Sequence, residues 1–133
     1  MAPRHESRER ALGLCYEREV RDIPVADLLE SLPTPPDEYA LALLEGVAKH
    51  QDELDALLGE YSEHWSVERM PAVDRAVLRL GCYELVHEPE VPTAVVITEA
   101  VELAKQYSTK DSGRFVNGLL ARIAQLVRDT SPS

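Results

Sequence analysis

The sequence predicts an all-α protein, a compact bundle of six or seven helices. Three observations lead there. Apolar residues recur with a period near 3.6 in segment after segment, most clearly at Phe115, Val116, Leu119, Leu120, Ile123, Leu126 and Val127. No segment sustains the alternation of a strand, and no Asn-Gly or Asp-Gly hairpin turn joins two β-rich runs. Prolines fall between the periodic segments rather than inside them.

The first helix is expected over about Arg4 to Val20, with Ala11, Leu12, Cys15 and Tyr16 on one face and Pro3 at its start. Asp22-Ile-Pro24 reads as a cap with proline just inside a second helix carrying Val25, Leu28, Leu29 and Leu32. Pro33-Thr-Pro-Pro36 stops it and forms a stiff connector. One long third helix is expected from roughly Asp37 to Tyr61, its period disturbed only near His50-Gln51. A short turn capped by Ser66 ends before Pro71. The helix from about Ala72 to His87 is apolar almost all round, which places it centrally in the core. Pro92 opens the next helix, with Ile97, Ala100, Val101 and Ala104 at helical spacing. A polar elbow, Tyr107-Ser-Thr-Lys-Asp-Ser-Gly-Arg-Phe-Val-Asn-Gly118, separates it from the last.

At 133 residues the chain fits one domain and buries a core without staples. Cys15 and Cys82 each sit in an apolar pattern and form no CxxC pair, so reduced thiols in the cytoplasm are expected. No run spans a bilayer, and the N-terminus lacks the apolar stretch of a secretory signal. The formal charge of −10 argues against a general nucleic-acid binder, because a net anion repels phosphates. Its cations are grouped, with Arg4, Arg8 and Arg10 at one end and Lys105, Lys110, Arg114 and Arg122 around the elbow.

Catalytic motifs find no foothold, and no enzyme activity is expected. His5, His50, His64 and His87 show no metal-ligand spacing, so each reads as a satisfied or solvent-facing histidine, with no metal and no cofactor. Glu99/Glu102 and Asp52/Asp55 read as solvated helix faces. GxxxxGK[ST], GxGxxG and GxSxG are all missing. Asp74, Arg75 and Arg79 read as plain surface charges on the central helix.

The elbow carries more information. As a bare corner it needs Ser108 or Thr109 as a cap, Gly113 for close packing and Phe115 in the core. Lys110 and Arg114 flanking the chain's only Phe add what a stacked, backbone-contacted RNA strand requires. The N-terminal arginines oppose the helix dipole, at a few tenths of a kcal/mol each, which hints at another task such as phosphate binding.

Pro92-Thr-Ala-Val-Val-Ile-Thr-Glu-Ala-Val-Glu-Leu-Ala-Lys105, followed by Asp111-Ser-Gly-Arg-Phe-Val-Asn-Gly118, closely resembles the C-terminal half of the bacterial NusB family of transcription antitermination factors. Ser7-Arg-Glu-Arg-Ala-Leu-Gly-Leu-Cys-Tyr16 is similar to that family's first helix, and Asp74-Arg-Ala-Val-Leu-Arg-Leu-Gly-Cys-Tyr-Glu-Leu85 to its central one. The resemblance implies two packed helical subdomains, 1–70 and 71–133, and no catalysis. It implies a partner, ribosomal protein S ten acting as NusE, and single-stranded boxA RNA. The assembly joins other Nus factors on RNA polymerase and suppresses premature termination, notably in ribosomal RNA operons.

Carried over by position, the resemblance puts Arg4, His5 and Arg8 near RNA phosphates, with Lys110, Asp111, Ser112, Arg114 and Phe115 lining the rest of that surface. Tyr16, Asp74 and Arg75 would face the partner, where acidity suits a basic ribosomal protein. Glu6 interrupts what is a denser arginine run in the family, so dependence on the partner for phosphate contacts is expected. Two alternatives stand beside this reading. One is a protein adaptor without RNA, which the net charge favours. The other is an RNA-targeting domain of a methyltransferase system, against which the chain to Ser133 offers no glycine-rich cofactor loop. A homodimer hiding the RNA face is also conceivable.

Overall fold

The computed structural model describes residues 4–63 and 65–128; Pro3 and His64, both named above, lie outside them. Seven α-helices and one 3-10 turn make up the described residues: α1 (Arg4–Arg21), α2 (Val25–Ser31), α3 (Glu38–Lys49), α4 (Gln51–Tyr61), the 3-10 turn (Val67–Arg69), α5 (Ala72–His87), α6 (Thr93–Tyr107) and α7 (Lys110–Val127). Among those residues there is no strand, and the all-α architecture is as the periodicity requires.

The expected third helix is two helices. At His50 the backbone takes φ −106° and ψ 16°, off the helical values, and this breaks the segment into α3 and α4. Hydrogen bonding continues across the joint: His50 N–H donates to Gly46 O, and Leu54 N–H donates to His50 O. α4 takes Leu54 and Leu58 into the core beside α5. The period of apolar residues survives such a bend, so pattern alone does not reveal it.

Asp22 also departs from expectation. It does not cap α2 but ends α1 in the left-handed conformation, φ 53°, which Asp tolerates better than most side chains. Pro24 takes the position before α2 instead.

α5 is the axis of the fold, buried at Asp74 and from Ala76 to Leu85 and packed against α1, α3, α4, α6 and α7. A single apolar cluster draws residues from α1, α3, α4, α5, α6 and α7, while α2 is held by a smaller one around Leu14, Leu28 and Leu44. The last carbonyls of α5 are capped from afar: Arg128 donates to the carbonyls of Glu84, Leu85 and Glu88 at 2.7–3.0 Å. That closes the second half of the molecule, where α6 and α7 pack as a hairpin against α5.

Candidate nucleic-acid and protein interfaces

The N-terminal cations divide between surface and interior. Arg4 and His5 are exposed. Arg4 lies over the Tyr39 ring, 3.8 Å from its centroid, and His5 Nδ1 sits 2.9 Å from Glu99 Oε1. The hydrogen bond and charge of Glu99 hold the His5 imidazole above its ordinary pKa, favouring the charged form.

Arg8, expected on the RNA surface, is only 5% exposed. Its Nε and Nη2 donate to the two Glu84 oxygens at 2.8 and 2.9 Å, and Tyr39 Oη donates to Glu84 at 2.6 Å. Burial opposes the guanidinium charge, but the Glu84 carboxylate outweighs it and raises the Arg8 pKa. Arg10 donates to Thr34 O at 2.8 Å. These contacts give α1 a structural reason for arginines at an electrostatically unfavourable end.

The elbow is built by a capping box. Thr109 Oγ1 accepts from Ser112 N–H at 3.1 Å, and Thr109 N–H donates back to Ser112 Oγ. Ser112, another expected RNA contact, is buried, and its Oγ donates to Asp74 Oδ2 at 2.8 Å. It therefore pins the start of α7 to the start of α5. Lys110, Asp111 and Arg114 are exposed around that fixed turn. Lys110, Arg114 and Asn117 form one wall of an open groove whose other wall, on α6, includes Ile97, Val101 and Lys105.

Phe115 leaves α7 away from this groove. It is partly buried against the core and meets Trp65 edge-on, with ring centroids 5.4 Å apart. Trp65 is 43% exposed. Sequence reasoning missed it, although a solitary Trp in a polar connector is itself a signal.

The residues expected to face the partner also divide. Tyr16 is exposed and lines an apolar groove of about 300 Å³ with Leu12, Gly13, Val73 and Tyr107. Asp74 is buried, held by Ser112, because it falls on the core side of α5. Arg75 is drawn back onto the protein, donating to Met70 O at 2.9 Å and pairing with Glu19. Arg79, read as surface charge, is buried in a two-pronged pair with Asp55 at 2.8 Å and reaches Glu19 at 3.0 Å. Neither charge belongs to the open surface.

Helix α6 runs between the two cationic groups. His5 and Glu9 of α1 meet Glu99, Gln106 and Tyr107 along one edge of α6, while Lys110 and Arg114 line the groove at another. The exposed side chains between them include Glu102. The cations thus flank one helix, interrupted by acid, rather than forming a continuous patch.

These features define an all-α protein, with seven helices among the described residues, whose distinctive chemistry lies on open surfaces, cationic beside α6 and apolar beside Tyr16. The NusB family model matches residues 5–125. The transcription antitermination protein NusB of Salinispora arenicola is 48% identical over 132 residues, covering 94% of this chain and 97% of that protein. Its counterpart in Saccharopolyspora erythraea is 49% identical over 130 residues, covering 93% and 88%. The solved structure of T. maritima NusB superposes with a TM-score of 0.84 at 38% identity, covering 93% of this chain and 92% of that one. A crystal structure of antitermination factors NusB and NusE in complex with dsRNA gives 0.81 at 28% identity, covering 92% and 96%. The chain belongs to the NusB family.

Proposed function

We propose that this protein is a cytoplasmic, non-enzymatic transcription antitermination factor. With ribosomal protein S ten (NusE) it binds boxA RNA in nascent transcripts and suppresses premature termination, notably in ribosomal RNA operons. The observation that carries this reading is its near-full-length match to NusB proteins, one of them solved with NusE and RNA.

Single-stranded RNA is held beside α6. Arg4 and His5 supply cations from one edge, Lys110 and Arg114 from the other, and Asp111 accepts hydrogen bonds from base edges. On the side of α7 away from the groove, Phe115, with Trp65 edge-on beside it, forms the aromatic platform for a base of a strand that passes around the start of α7. Arg8 and Ser112 are positioning residues here: one fixes the tip of α1 and the other the start of α7. NusE docks on the groove around Tyr16, with Asp74 and Arg75 ordering the helix ends beneath it.

The net charge of −10 makes the basic partner necessary for tight RNA binding. The test is a titration of labelled boxA RNA with the protein alone and with NusE. Affinity is expected to rise sharply with NusE and to fall with salt, with a log–log slope near −0.7 per phosphate contacted. Arg114→Glu should weaken boxA and unrelated strands alike. No binding with NusE present, or full binding by Arg114→Glu, overturns the reading.

A further inference from the structure

The joint between α3 and α4 brings together three side chains that no sequence motif links. His50 occupies the joint, Glu53 lies in the first turn of α4, and His87 ends α5. Glu53 Oε1 is 2.6 Å from His87 Nε2 and 3.6 Å from His50 Nδ1. One donor atom from each residue falls within 4.8 Å of the other two. The imidazoles are stacked, centroids 3.9 Å apart and planes 25° from parallel, and Tyr83 stacks on His87 at 5.2 Å.

Two imidazoles at this separation repel if both are protonated. A carboxylate that presents one oxygen to both offsets one positive charge. A metal ion offers a better solution, since it binds both rings in their neutral form and the carboxylate as an anion. We propose that His50, Glu53 and His87 form a binding site for one divalent transition-metal ion of the zinc class.

Binding requires one rearrangement: the stacked rings, whose in-plane lone pairs run side by side, must turn so that both point at the ion, and both imidazoles are partly exposed. Zinc bonds of about 2.0–2.2 Å to imidazole nitrogen and carboxylate oxygen put neighbouring tetrahedral donors about 3.3–3.6 Å apart. Glu53 Oε1 stands 3.6 Å from His50 Nδ1, within that range, and 2.6 Å from His87 Nε2, closer than it, and Glu53, half-exposed on α4, is free to swing. The fourth position faces solvent and takes water. Two nitrogen donors disfavour magnesium and calcium, which select oxygen, and favour zinc, nickel, cobalt or copper. The ion ties the bend between α3 and α4 to the C-terminal end of α5.

The experiment uses the untagged full chain, zinc chloride, and a chromophoric chelator as competitor. One zinc ion per chain is expected. His50→Gln, Glu53→Gln and His87→Gln should each weaken it at least tenfold, and His5→Gln should not. Circular dichroism checks that each variant is folded. In the unaltered protein, imidazole nitrogen resonances give an independent reading: zinc should shift those of His50 and His87 and leave His5 in place. No stoichiometric zinc, unchanged affinity in His50→Gln, or equal shifts at His5 overturns the proposal.

Discussion

Arg8 and Arg114 carry the same charge, and the folded chain gives them different work. Arg114 is exposed at the first turn of α7, where its charge is available to phosphate. Arg8 is enclosed with Glu84 and Tyr39, all of its terminal nitrogens engaged by carboxylates. Removing one partner of such a pair leaves the other charge buried, at a cost of about 3–5 kcal/mol. Arg8→Met should therefore lower the unfolding free energy by that amount in urea denaturation, while Arg114→Glu changes it little. If Arg8→Met kept full stability, the buried pair would not be anchoring α1. The sequence placed both arginines on helices but not their environments, because Glu84 lies 76 residues from Arg8 and periodicity carries no record of polar partners.

At the scale of elements, the helix ends were the most readable feature. Proline positions and the apolar period put α5 and α6 close to their observed bounds, whereas α7, capped by Thr109 rather than Ser108, begins at Lys110 and takes in most of the expected elbow. The bend at His50 was not readable, because Leu54 and Leu58 continue the apolar pattern after it. Two glycines make contrasting tests of this packing. A Cβ added at Gly46 would meet the Tyr83 ring at 2.3–2.5 Å, whereas one at Gly13 meets nothing within 4 Å. Gly46→Ala should displace Tyr83 and cost about 1–3 kcal/mol. Gly13→Ala, in an exposed helix position, should gain up to about 1 kcal/mol. Thermal unfolding of the two variants checks the contrast, and equal effects would refute the close α3–α5 approach.

Across the whole molecule, an acidic body keeps a few cations on the two sides of one helix and an apolar groove nearby. The overall bundle followed from pattern alone, and its family from three motifs in order. How the candidate site is divided between surface and interior did not follow. Ser112, Asp74 and Arg75 look alike in sequence to residues that meet a ligand, yet each is bonded back into the protein. What distinguishes them is which side of a helix they leave and what lies opposite, and that is settled only when α1, α5 and α7 pack together.

The most direct measurement of the proposed interfaces is a residue-by-residue map by NMR. The labelled protein is titrated first with NusE and then with boxA RNA. NusE should shift the backbone amides of Tyr16, Val73 and Tyr107. RNA should then shift those of Lys110, Arg114 and Phe115, the Trp65 indole and the His5 ring. RNA-induced shifts confined to other surfaces, with α7's first turn and the tip of α1 unmoved, would contradict the assignment of nucleic acid to the flanks of α6.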